Sequence, residues 1–120
     1  MPRPALIKVT CGTDDPERSN QAFTVAGAAV AAGAEVSLWL TGDAVWAAVP
    51  DRGLDLGLKH ATPVATLLEV VLGGGAVTVC TQCATRRGIT AADVADGVRI
   101  AGAAVFAEEA LRDGVQALVY

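Results

Sequence analysis

Charge is scarce in this 120-residue chain: Asp, Glu, Lys and Arg make up 18% of it, aromatics 4%, and there is one histidine. Nine basic residues against thirteen acidic ones leave a net charge of −4. The basic residues are scattered, and only Arg86 and Arg87 adjoin. A surface that tracks phosphates needs clustered Lys and Arg, so no nucleic-acid partner is expected. No apolar run approaches the roughly 18 residues of a membrane span, so no membrane association is expected either. Met1-Pro2-Arg3-Pro4 leads directly into a short strand-like run, without the apolar core and cleavage site of a signal peptide. The expected compartment is the cytoplasm. Three cysteines, an odd number, suit reduced thiols better than a disulfide framework.

Small apolar residues are what the chain has in excess. It is 52% hydrophobic, its mean hydropathy is +0.45, and Ala and Val supply most of the surplus. That composition excludes intrinsic disorder. It suits helices packed closely on a sheet, and it also suits a covered subunit interface. The length predicts one domain over residues 1–120, able to bury about two thirds of its unfolded surface without a disulfide or metal staple.

The pattern alternates strands with helices. Ala5–Thr10 reads as the first strand, ending in the polar turn Cys11–Pro16. A helix follows, with Asp15 as N-cap, Pro16 in its first turn and Gly33 as its stop. Glu35–Leu40 alternates as a second strand and passes through Thr41-Gly42-Asp43 into a short helical run over 44–49. Residues 50–60 are irregular. Thr62 and Pro63 read as N-cap and first helical residue of a helix to about Leu72, which Gly73-Gly74-Gly75 ends. Ala76–Cys80 is a third strand, followed by a short helix to Arg87. Thr90 reads as the cap of a helical piece over 91–96, and Val98–Ile100 as a brief strand or connection. A helix over 103–112 and a strand over 115–120 complete the chain. Such alternation predicts an α/β fold with a parallel sheet covered on both faces, and chemistry beyond the carboxyl ends of the strands.

Those ends direct attention to Cys11, Thr41 and Cys80. Cys80-Thr81-Gln82-Cys83 is the strongest local signal, because a thiol at a helix N-terminus is biased toward the nucleophilic thiolate. Cys83, three residues on, falls on roughly the same helical side as a resolving thiol. Arg86 and Arg87 add positive charge if they point back. Cys11 ends the first strand on the same sheet edge and reads as a buried filler thiol or a neighbour of Cys80. The pair is placed too late for a thioredoxin-type site, and no proline follows Pro63 to face it. Zinc would have to recruit Cys11 and His60 as well, and no metal is expected. The glycines at 73–75 precede a strand instead of following one, so they are no phosphate cradle, and no cofactor is expected. Asp14, Asp15 and Asp43 read as turn and cap residues, His60 as a solvated loop residue, and Trp39 and Trp46 as core or interface.

Three blocks carry a family resemblance: Cys11–Arg18 after the first strand with Phe23 in the helix, Gly33–Val45, and Val79–Ile89, in which the cysteine pair joins an Arg-Arg-Gly-hydrophobic tail. Together with the last strand they resemble the DsrE/DsrF-like family of small sulfur-relay proteins, over nearly the whole chain. The resemblance implies a three-layer α/β/α sandwich around a parallel sheet of about five strands, and a homotrimer, a homohexamer or a heteromeric assembly of related subunits. It implies that Cys80 accepts sulfane sulfur as a persulfide from a donor protein and yields it to an acceptor protein. Cys83 matches a second cysteine of some members, and Cys11 stands outside the carrier pattern. Two other readings stay open: a thiol–disulfide switch using Cys80 and Cys83, and a non-catalytic oligomeric ligand-binding module.

Overall fold

The computed structural model describes residues 2–120. Strands β1 (Pro4–Val9), β2 (Glu35–Leu40), β3 (Gly75–Cys80), β4 (Val98–Ala101) and β5 (Gln116–Val119) form one sheet in the order β4-β3-β2-β1-β5. Every neighbouring pair is parallel. The connections carry α1 (Pro16–Ala31), a 3-10 segment (Gly42–Ala48), α2 (Val64–Gly74), α3 (Thr81–Arg86) and α4 (Ala103–Ala110). The expected α/β layering is therefore present.

Alternation along the strands gives the sheet two unlike faces. Ile7, Val9, Leu38, Leu40, Val77 and Val79 point to one side and are buried with Phe23, Ala22 and Ala26 of α1 and Leu68 and Val71 of α2. Lys8, Ser37, Trp39, Thr78, Cys80 and Arg99 belong to the other side. That side is covered by α4, no residue of which is fully buried.

The helix start at Asp15 is as expected: its carboxylate accepts the Arg18 N–H, and Pro16 sits in the first turn. Three local expectations are corrected. Thr62 does not cap α2. Pro63 holds the cap position in an extended conformation, with no side-chain cap hydrogen bond, and its carbonyl accepts the N–H groups of Thr66 and Leu67. The glycine run does not end α2 at Leu72, because Gly73 and Gly74 remain helical. A Cβ on Gly74 would meet the Val30 side chain at 2.5 Å, so the missing side chain lets α2 close onto α1. Residues 91–96 form turns instead of a helix. The Asp93 carboxylate accepts both the N–H and the hydroxyl of Thr90, Ala95 donates to the Ala48 carbonyl, and so short a segment gains little by helix nucleation.

Candidate functional site

β3 ends at Cys80, which occupies the N-cap position of α3. Its side chain shares a cavity of about 60 Å³ with Lys8, Trp39, Thr41, Ala103 and Phe106. Larger clefts of about 390 Å³ at the amino ends of the strands and about 440 Å³ along the loop 52–64 contain no cysteine. The thiol therefore sits at the carboxyl edge, where parallel sheets place their chemistry, in a space for a few atoms. Pockets that enclose larger ligands run to roughly 300–1,000 Å³.

Burial of the Cys80 thiol works against ionisation, yet the net displacement of its pKa is downward. No N–H is hydrogen-bonded to it as a cap, but the backbone of Cys83, the Cys83 thiol and the backbone of Gln82 all favour the thiolate, as does the charge of Lys8. Cys83 is held from its other side by the Gly42 N–H, which donates to its Sγ at 3.2 Å. Gly42 reaches that position through a left-handed backbone (φ 54°), and a Cβ there would lie 2.6 Å from the Thr10 carbonyl oxygen. The tight turn after β2 thus places a backbone donor on the second thiol.

Arg87 locks this arrangement. Its Nε and Nη2 donate to Asp43 Oδ1 at 3.0 and 2.9 Å, and its Nη1 to the Cys83 carbonyl at 3.1 Å. Asp43 is accordingly an ion-pair partner, not the helix cap the sequence suggested; Thr41 holds that cap position. Arg87 faces Asp43 and the Cys83 backbone, while Arg86 is exposed in the last turn of α3. Cys11 lies beyond β1, with β2 between β1 and β3, and does not line the Cys80 cavity. It is buried. Burial, then the charges of Asp14 and Asp15, push its thiol pKa up against the opposing charge of Arg18. Among the described residues no three His, Cys, Asp or Glu side chains converge as a metal-binding group.

Two contributors escaped sequence reasoning. Lys8 interrupts an otherwise apolar strand, which is a visible signal. Phe106 lies on α4 and reaches the site only through the crossing of that helix. α4 itself is held by Glu109, which accepts from Ser37 Oγ at 2.5 Å, Trp39 Nε1 at 3.2 Å and Arg99 Nη2 at 2.5 Å.

This sheet order, with a cysteine where β3 passes into a short helix, can be compared with known proteins. A family model described as the DsrE/DsrF-like family matches residues 5–119. The chain belongs to the DsrE/DsrF-like family. That family is associated with sulfur relay, and its members are often oligomeric. Among solved structures, the ychN protein from E. coli is similar over 100% of both chains, at 22% identity and a TM-score of 0.79. The protein of unknown function MTH1491 from Methanobacterium thermoautotrophicum is similar over 100% of both, at 12% identity and a TM-score of 0.72. The conserved protein of unknown function BT1422 from Bacteroides thetaiotaomicron shares 16% identity over 96% of this chain and 94% of its own, with a TM-score of 0.59. At these identities the DsrE/DsrF-like fold is what the structures have in common. No curated protein matches the chain. No helix among the described residues is long and apolar enough to cross a membrane.

Proposed function

We propose that this DsrE/DsrF-like protein is a cytoplasmic sulfur carrier that holds sulfane sulfur as a persulfide on Cys80 and passes it between a donor and an acceptor protein. The observation that carries this reading is the Cys80 thiol itself, displaced toward thiolate and set in a cavity with room for a few atoms. The thiolate attacks the terminal sulfur of a donor persulfide. A bond forms between Cys80 Sγ and that sulfur, the donor's S–S bond breaks, and the donor leaves as its thiolate. An acceptor thiolate repeats the step in reverse. Electrons are conserved within the sulfur atoms, so neither metal nor cofactor is required. Arg87 acts as a positioning residue, through Asp43 and the Cys83 carbonyl.

Intact-protein mass spectrometry after exposure to a persulfide donor tests this. The expected result is a gain of one sulfur, about 32 Da, in wild type and Cys83→Ser, and none in Cys80→Ser. Full sulfur uptake by Cys80→Ser would remove the assignment. The thiol–disulfide switch is favoured by one observation, the Cys83 thiol close enough to act on Cys80. It replaces the carrier reading if mild oxidation joins the two cysteines and no sulfur is gained.

A further inference from the structure

Lys8 is a charged residue in the interior of the sheet. β1 lies between β2 and β5, and Lys8 is in register with Trp39 on one side and Val119 on the other. Ile7 and Val9 flank it and are fully buried on the opposite face. Strands in this setting are ordinarily apolar throughout. Its ammonium lies 4.9 Å from the centroid of the Phe106 ring, over the ring face. Among the described residues it has no carboxylate within ion-pair distance. Of the acidic groups on the neighbouring elements, Glu109 of α4 is engaged with Arg99, Ser37 and Trp39, Asp43 is engaged with Arg87, and Glu108 of α4 is exposed to solvent. Lys8, Trp39 and Thr78 form one row across β1, β2 and β3, and Cys80 is the next residue of the same face on β3. Thr78 lies two strand spacings, about 10 Å, from Lys8, Cys80 lies further along β3, and the two side chains meet at the cavity that both line. An ammonium without a counter-charge and a thiol therefore line one small cavity.

We propose that Lys8 is the fixed counter-cation of the Cys80 cavity, and that the site is built to load and hold the anionic form of a persulfide. This rests on the carrier reading and names its substrate class. Loading joins two anions: Cys80–S⁻ and R–S–S⁻ give Cys80–S–S⁻ and R–S⁻. The Sγ–S bond forms, the donor S–S bond breaks, and the total charge of −2 is conserved. The approach of two negative charges is the cost that a neighbouring cation offsets, more effectively in a partly desolvated cavity than in water. Lys8 gives up no proton in this step. Cys83, itself held by the Gly42 N–H, meets the Cys80 sulfur from α3. Among the described residues, Lys8 supplies the one basic side chain lining the cavity.

The test compares wild type, Lys8→Met and Lys8→Arg, with circular dichroism as the folding control. Inorganic disulfide anion serves as the sulfur source, and iodoacetamide alkylation of Cys80 against pH serves as a readout independent of transfer. The expected result for Lys8→Met is an alkylation midpoint higher by about one pH unit and sulfur loading slower by about tenfold. Lys8→Arg should stay close to wild type in both. An unchanged alkylation profile and unchanged loading in Lys8→Met would overturn the proposal. So would Lys8→Arg behaving like Lys8→Met, since the effect would then belong to shape and not to charge. If wild type takes up no sulfur, the carrier reading fails; a charge-dependent midpoint would still support Lys8 as counter-cation.

Discussion

At the residue scale, the chain carries a controlled comparison. Cys11 and Cys80 both lie at the carboxyl ends of parallel strands, yet their thiols are displaced in opposite directions. Cys11 is buried beside Asp14 and Asp15, which disfavour the thiolate. Cys80 meets helix N–H groups, a second thiol and Lys8, which outweigh its burial. The sequence showed the strand ends and the cysteine pair, because both are local patterns. It did not show which charges face them, since Lys8 and Asp43 lie far from Cys80 along the chain. Arg87 illustrates this: adjacency to Arg86 suggested a charge for the thiol, whereas the guanidinium is committed to Asp43. Replacing Arg87 with Ala should lower stability by on the order of 1 kcal/mol after allowance for solvent screening, or roughly 4 °C in Tm. Lys should restore only part of it, because an ammonium cannot reproduce the fork that spans Asp43 and the Cys83 carbonyl. A thermal melt of Arg87→Ala that overlays wild type would show that the clamp contributes nothing.

At the element scale, α4 is the least anchored helix. It is eight residues long with none fully buried, and its attachment is polar. Phe106 adds an edge-to-face contact with Trp39 at 5.3 Å between centroids. Burial would raise the Glu109 pKa, but hydrogen bonds from Ser37, Arg99 and Trp39, with the Arg99 charge, bring it below the usual carboxylate range. A depressed folded-state pKa stabilises the fold above the unfolded value and loses that contribution as pH falls through the folded one. As pH falls below the ordinary carboxylate value and through the lower folded-state pKa of Glu109, α4 should therefore loosen from the sheet, and Glu109→Gln should flatten this part of the stability profile. Denaturant unfolding from pH 3 to 7 reads it; equal pH dependence in both proteins would refute the role of Glu109. The helix was legible in the sequence over 103–112, but its docking partner was not. Arg99, Ser37 and Trp39 converge on Glu109 only because β4, β3 and β2 are neighbours.

At the scale of the whole molecule, the two faces of the sheet are unequal, and the β5 edge is bare. Val119 is 64% exposed and Leu111, just after α4, is 84% exposed. An exposed apolar edge strand invites pairing or coverage. With the surplus of small apolar residues, this supports a homo-oligomer in solution. Light scattering should return three or six times the 12.1 kDa chain mass, and Val119→Asp should shift the distribution toward the monomer. A wild-type monomer at tens of micromolar would refute the expectation.

The sequence by itself determined the succession of strands and helices, the capped start of α1 and the place of Cys80, because periodicity, caps and turns are set by residues a few positions apart. It misplaced the start and end of α2 and the segment 91–96, where packing against α1, a proline carbonyl and a folded-back Asp93 overrode local preference. Only the tertiary structure decided that Lys8, Phe106 and Cys80 share one cavity, that Arg87 belongs to Asp43, and that Cys11 stands apart. Those relations depend on strand order and on the crossing of α4, which join residues distant in the chain and leave no local pattern to read.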